Sequence, residues 1–240
     1  MSSNTRYWAI IPAAGTGQRM AAEVPKQYLP LGDATVIETA VTCFLRHPKI
    51  SGVVIALHAE DQYWNNLAIV RHEKIHTVIG GETRLHSVHN ALNYLDNTPA
   101  GNDDFVLVHD AARPCLRDED IDALIQKLEQ DEVGGILASP ASDTLKLVEH
   151  QSDSIVMVAK TLDRSLIWKA LTPQMFRLSV LKKALTHCDQ NNIDVTDEAS
   201  AVEALGLKVQ LIEGRSDNIK VTHAEDLLIA AAIINKSNNR

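Results

Sequence analysis

An apolar run ends in two glycines and two cations: Tyr7-Trp-Ala-Ile-Ile-Pro-Ala-Ala-Gly-Thr-Gly-Gln-Arg-Met20 is followed by Pro25-Lys-Gln27. Gly15 and Gly17 lack a Cβ, can take φ > 0 and let a ligand approach the main chain, so successive N–H groups can converge on phosphate oxygens while Arg19 and Lys26 neutralise charge. This suits a polyphosphate. It matches neither standard nucleotide fingerprint. A dinucleotide-binding G-x-G-x-x-G needs glycine where Met20 stands, and a P-loop needs Gly-Lys-Ser/Thr after four spacer residues. Another class of nucleotide site is expected.

Further cations, Arg84, Arg113, Arg164 and Lys220, stand at or near loops and element ends rather than along a basic helix stripe. Asp110, after the apolar Phe105 to Val108, reads either as a turn carboxylate or as a ligand of Mg²⁺ shared with substrate oxygens. Arg113, before Pro114, braces that loop or meets a phosphate. Thr196-Asp-Glu-Ala-Ser200 and Thr222-His-Ala-Glu225 read as helix starts, the second as a capping box, and free N–H groups at such a start also suit a phosphate. His72 and His76 read as surface residues. His86 and His89 lack an acidic or cysteine third ligand for zinc, and Cys115 reads as a packed thiol. Asp118-Glu-Asp120 reads as an acidic first helical turn.

Strand-like runs at Trp8 to Ile11, Val53 to Leu57, Thr77 to Ile79, Phe105 to Val108 and Ile136 to Ala138 alternate with helical patterns over Ala34 to Arg46, Glu82 to Leu95 and Asp118 to Asp131. That alternation predicts right-handed crossovers and an α/β fold with a doubly wound, largely parallel sheet, whose ligands sit at the strand C-terminal ends. The Gly-rich loop, Gly80-Gly-Glu-Thr-Arg84 and His109-Asp-Ala-Ala-Arg-Pro114 all fall there. Leu145-Lys-Leu-Val148 and Ile155-Val-Met-Val158 flank a polar stretch and predict a protruding β-hairpin arm over about 142–164, suited to pairing with a second subunit. Helix and strand patterns resume from Arg177. A last helix is expected from Thr222 to about Ile234.

With 240 residues and 45% apolar content the chain can bury a full core, and one domain is expected over 1–240. Three widely spaced cysteines argue against a disulfide framework. The first six residues have no apolar signal core, and the longest apolar run, Leu227 to Ile234, is far short of a membrane span. A cytoplasmic protein without a membrane partner is expected. A net charge of -8 argues against general nucleic-acid binding.

In order along the chain stand Pro12-Ala-Ala-Gly-Thr-Gly-Gln-Arg-Met20, Pro25-Lys-Gln27, Gly80-Gly-Glu-Thr-Arg-Leu-His-Ser87, Val108-His-Asp-Ala-Ala-Arg-Pro114, Asp143-Thr-Leu-Lys146, Arg164-Ser-Leu-Ile-Trp168, Thr172-Pro-Gln174, Thr196-Asp-Glu-Ala-Ser200 and Asn218-Ile-Lys-Val-Thr222. This set resembles the 2-C-methyl-D-erythritol 4-phosphate cytidylyltransferases, enzymes of non-mevalonate isoprenoid biosynthesis, over nearly the whole chain. The resemblance implies a Rossmann-like nucleotidyltransferase fold. It implies that CTP is bound by Ala13, Ala14, Gly15, Thr16, Gly17, Gly81, Glu82, Arg84, Ser87, Asp110 and Ala111, with Asp110 near the triphosphate and Mg²⁺.

By the same resemblance Arg19, Lys26, Arg164 and Lys220 are catalytic. Arg164 and Lys220 grip the acceptor's phosphate, and Arg113, Thr144, Thr172 and Thr196 line its pocket. The hairpin becomes the arm of a homodimer, and the cyclase fused to bifunctional relatives is expected to be absent. Glu82 and Thr83 fall at variable family positions. Ribitol 5-phosphate cytidylyltransferases are the nearest rival, with a non-catalytic CTP sensor as the rival of another class. The chemistry agrees with the residues: a largely dianionic phosphate monoester needs no dedicated base. It needs alignment with CTP and groups that stabilise developing negative charge.

Overall fold

The computed structural model describes residues 5–15, 24–152 and 155–238. β1 (Tyr7–Pro12) leads by way of a 3-10 turn (Lys26–Tyr28) into a small hairpin of β2 (Pro30–Leu31) and β3 (Ala34–Thr35). Then come α1 (Val36–Arg46), β4 (Ile50–Leu57), two 3-10 turns, β5 (Ile75–Ile79), α2 (Arg84–Leu95), β6 (Phe105–Val108), α3 (Asp118–Leu128) and β7 (Gly134–Pro140). The arm, β8 (Lys146–Ser152) and β9 (Ile155–Thr161), separates β7 from β10 (Trp168–Arg177). The chain continues through α4 (Leu178–Gln190), α5 (Glu198–Ala204), β11 (Gln210–Glu213) and α6 (Ala224–Asn238).

Seven strands form one sheet in the order β11-β7-β10-β6-β1-β4-β5. All pair in parallel except β10, which runs antiparallel to both β6 and β7. The period-two alternation of β1 sorts its side chains onto the two faces. Ala9 and Ile11 pack with Ile37, Val41, Phe44 and Leu124 of α1 and α3, while Trp8 and Ile10 pack with Val88, Leu92, Leu181 and Leu185 of α2 and α4. Helices cover both faces, as in a doubly wound α/β fold.

Helix boundaries follow side-chain caps. α1 begins two residues later than its apolar pattern, because the Thr35 side chain accepts from the Glu38 N–H and the Glu38 carboxylate accepts from the Thr35 N–H. α2 is capped by Thr83, so Glu82 lies before it. α6 departs from the expected box: the Asp226 carboxylate, rather than that of Glu225, takes the N–H groups of Thr222 and His223, both at 2.8 Å. Helix therefore starts at Ala224.

Two strands of the main sheet, and the short β2–β3 hairpin, are not predicted from the sequence. β10 contains Thr172-Pro-Gln174 with a cis Thr172–Pro173 bond, and its pairing with β7 breaks register between Ala170 and Gln174. Proline removes a ladder donor and masks the strand pattern. β11 is a four-residue edge strand, mostly exposed. β8 and β9 form the expected hairpin and pair only with each other, leaving Leu147, Val148, Val156, Met157 and Val158 exposed. No helix among the described residues is long and apolar enough to cross a membrane.

Candidate active site

The C-terminal ends of β1, β5 and β6 supply three loops, and β10 and the Asn218–Thr222 segment close around them. In the first loop Gln27, itself buried, donates from Nε2 to the carbonyls of Ala13 at 3.0 Å and Gly15 at 3.1 Å. The motif's glutamine is thus a clamp on the loop. Gly15 does not use the positive φ open to a glycine, which among the described glycines is taken by Gly32, Gly134 and Gly206. A Cβ on Gly15 would meet no atom of the described residues within 4 Å. Thr16, Gly17 and Arg19 lie outside the described residues.

The second loop approaches the first closely. A Cβ on Gly80 would come within 2.6 Å of the Ala14 Cβ and 2.9 Å of the Ser87 Oγ, which accounts for the glycine. Ser87 Oγ accepts the Gly81 N–H at 3.0 Å and donates to the Thr83 carbonyl at 3.0 Å, fixing this loop to the first turn of α2. Glu82 is exposed beside it. Ala111, next to Asp110 in the third loop, is buried.

Asp110 is the electrostatic centre. Its Oδ1 lies 3.3 Å from Arg84 Nη2, and its Oδ2 lies 3.3 Å from Arg113 Nε and 2.9 Å from Lys220 Nζ. Burial alone would raise this carboxyl, but Arg84, Lys220 and Arg113 outweigh it and hold it well below the usual carboxylate range. Arg84 also pairs with Glu198. Full burial pushes the Glu198 carboxyl up despite that partner. Lys26 Nζ donates to the Val221 carbonyl at 3.3 Å, one residue after Lys220. Arg113 Nη1 donates to the Asn218 carbonyl at 2.8 Å.

Behind Asp110 lies a buried polar layer. His109 is fully buried between Arg113 O and Thr172 Oγ1, and desolvation lowers its pKa to about 4. Gln174 joins Asp197 to the start of α5, donating to Asp197 Oδ2 at 2.9 Å and accepting the Ala199 N–H at 2.9 Å.

The fold thus joins Asp110 with Arg84, Arg113 and Lys220, sets the Asp110 main-chain N–H against Thr172 Oγ1 at 3.2 Å, and links Lys26 to the segment that carries Lys220. It does not bring in the arm. Arg164 donates to the Ser142 carbonyl at 2.8 Å, and both Arg164 and Thr144 are exposed. Among the described residues no hydrogen bond or ion pair joins either to the Asp110 cluster. Thr196 is exposed, its N–H donating to Ser200 Oγ at 3.1 Å.

Gln27, His109, Glu198 and Asn218 are site-shaping residues that the sequence reading left without roles. Each is a polar residue embedded in one of the quoted motifs, and that embedding was the available signal. Asp217 turns away from the centre, to Arg117 at 3.0 Å and Arg215 at 3.1 Å.

Among the described residues no cluster of three or more His, Cys, Asp or Glu could hold a metal alone. Asp110 still suits Mg²⁺, which is commonly bound through one carboxylate with substrate phosphates and water completing its shell. The donor is a hard oxygen kept ionised by its surroundings.

Residues 7–236 match the 2-C-methyl-D-erythritol 4-phosphate cytidylyltransferase (IspD) family. Enzymes of that name from Pseudomonas syringae pv. tomato and Pseudomonas fluorescens are each 54% identical over 221 residues, covering 92% of this chain and 92% of theirs. The crystal structure of the Francisella tularensis 2-C-methyl-D-erythritol 4-phosphate cytidylyltransferase is similar at a TM-score of 0.82 and 39% identity, over 95% of this chain and 100% of that one. Sequence, fold and the convergence of three cations on Asp110 agree, and the chain belongs to the 2-C-methyl-D-erythritol 4-phosphate cytidylyltransferase family.

Proposed function

We propose that this protein transfers the cytidylyl group of CTP to 2-C-methyl-D-erythritol 4-phosphate in isoprenoid precursor biosynthesis, giving 4-diphosphocytidyl-2-C-methyl-D-erythritol and pyrophosphate. Beyond family membership, the observation that carries this reading is the Arg84, Arg113 and Lys220 cluster around Asp110. Two anionic substrates must be held together against their repulsion, and a polarised cluster beyond the ends of β5 and β6 is suited to it. An acceptor phosphate oxygen attacks the α-phosphorus, a new P–O bond forms, and the bond to the bridging oxygen breaks with its electron pair leaving on pyrophosphate.

Lys26 and Arg19 stabilise the charge gathering on the transferred group and pyrophosphate. Lys220, with Arg164, positions the acceptor phosphate, while Arg113, Thr144, Thr172 and Thr196 line the acceptor pocket. The nucleotide lies along Ala13 to Gly17, Gly81, Glu82, Ser87 and Ala111. Mg²⁺, when bound at Asp110, supplies further neutralisation of the triphosphate.

The working form in this reading is a cytoplasmic homodimer. The arm's exposed Val148, Val156 and Val158 support it, as does the absence, among the described residues, of any hydrogen bond or ion pair from Arg164 or Thr144 to their own chain's Asp110 cluster. Each arm then serves the partner's site.

The test is pyrophosphate release from CTP and Mg²⁺ with methylerythritol 4-phosphate, run beside ribitol 5-phosphate and a no-acceptor control. Release with methylerythritol phosphate alone is expected. Preference for ribitol phosphate would overturn the acceptor assignment, and no release with any acceptor would overturn the enzymatic reading.

A further inference from the structure

A single buried ring sets the shape of the loop after β6. His109 is tilted against the Phe44 ring, with centroids 5.3 Å apart. Its Nε2 lies 3.0 Å from the Arg113 carbonyl oxygen and its Nδ1 lies 2.9 Å from Thr172 Oγ1. A carbonyl can only accept, so Nε2 carries a proton. Thr172 Oγ1 already accepts the Asp110 N–H at 3.2 Å. Were Nδ1 also a donor, the hydroxyl would receive two N–H groups and its own proton would have lost its acceptor. The order that satisfies every group runs from Asp110 N–H to Thr172 Oγ1, from the Thr172 hydroxyl to His109 Nδ1, and from His109 Nε2–H to the Arg113 carbonyl.

The same strand position is tied on its other side. Asn218 Nδ2 donates to the Thr172 carbonyl at 2.7 Å, and the Asn218 carbonyl accepts from Arg113 Nη1 at 2.8 Å. A closed circuit therefore links the β6 loop, β10 and the segment that carries Lys220.

We propose that His109 is a positioning residue for the acceptor substrate: by taking the Thr172 proton it leaves that oxygen able to act toward the site only as a hydrogen-bond acceptor. Such an oxygen matches a substrate hydroxyl and is mismatched to a phosphate oxygen. It supplies polarity that the surrounding cations cannot. Arg84, Arg113 and Lys220 offer only donors, whereas Thr172 and the Asp110 carboxylate offer acceptors. The substrate is thereby oriented with its polyol toward Thr172 and its phosphate toward the cations. This inference rests on the methylerythritol phosphate reading above and adds the residue that sets the orientation.

The test compares His109→Asn with His109→Gln by steady-state kinetics and thermal melting. Asparagine can place Oδ1 near the Nδ1 position and keep the acceptor for Thr172, whereas glutamine can place an N–H near the Nε2 position and keep the tie to Arg113. His109→Gln should raise the acceptor KM roughly tenfold more than His109→Asn, the scale of one misoriented hydrogen bond. KM for CTP should move little in either, and the order of melting temperatures should not follow the order of acceptor KM.

Equal acceptor KM in the two variants, or a matching rise in KM for CTP, would overturn the proposal. If neither variant folds, Thr172→Ser and Thr172→Val decide: valine should give the higher acceptor KM by a similar factor, and equality would overturn it. Wild-type protein that turns over neither acceptor would strike at the function itself. Wild-type turnover with indistinguishable variants would strike only at the role of His109.

Discussion

Lys26 and Lys220 lie close along one path, since Lys26 donates to the carbonyl of Val221, yet their chemical duties divide. In the proposed mechanism Lys26 acts on charge that appears only as the α-phosphorus is attacked, so Lys26→Ala should lower kcat by roughly two decades or more with a smaller change in either KM. Lys220, in the same proposal, meets the acceptor's phosphate before the reaction starts, so Lys220→Ala should chiefly raise the acceptor KM while CTP binding, read by calorimetry, stays nearly intact. Reversed effects would exchange the two roles.

His109 gives a separate expectation for stability. Its folded pKa of about 4 lies below the ordinary 6.5, so the unfolded chain takes up this proton first as the pH falls. Its contribution is full above pH 6.5 and is lost on descending toward pH 4. Removing one such titration changes the slope by at most about 1.4 kcal/mol per pH unit. Urea unfolding of wild type and His109→Asn should therefore show a steeper acid loss in the wild type. Parallel curves would mean that the ring charges inside the fold.

At the scale of elements, caps decide boundaries that apolar periodicity leaves loose. Asp226→Ala removes the acceptor for two main-chain N–H groups at the start of α6 and should cost about 1 kcal/mol in thermal unfolding, while Glu225→Ala should cost little. An equal cost at both positions would restore the box expected from the sequence. Most elements were legible for a plain reason: β1, β4 and β6 are nearly uninterrupted apolar runs, and α1 to α3 repeat at helical spacing. β10 was not, because Pro173 and the register break hide a strand that hydrogen-bonds on both sides. The site was legible as a list of cations and one carboxylate. Their loops are expected at one end of the sheet, but the individual contacts, such as Arg84 with Asp110 and Arg113 with Asn218, are made by tertiary packing, and nothing local in the sequence pairs those residues.

At the scale of the whole molecule, the assignment of each arm to the partner's site can be tested by complementation. Asp110→Asn and Arg164→Ala chains should each be nearly inactive alone. Co-expressed, the two chains of the proposed homodimer would form mixed dimers in which one site combines an intact Asp110 with an intact Arg164, so random pairing should restore roughly a quarter of the wild-type sites. No recovery, with mixed dimers verified by differential tags, would mean that each site uses the Arg164 of its own chain.

β10 joins the two halves of that arrangement. It leaves the root of the arm at Trp168, passes Thr172 beside Asp110, and ends where α4 begins, while the Ala13–Gly15 loop hangs from β1. A tug on the arm is thus transmitted along one covalent strand to the acceptor side and reaches the nucleotide loop only across neighbouring strands. In the proposed homodimer, subunit separation should accordingly slacken the grip on the sugar phosphate first, so that progressive dilution would turn the protein into a CTP binder with a failing second hand before it became inert.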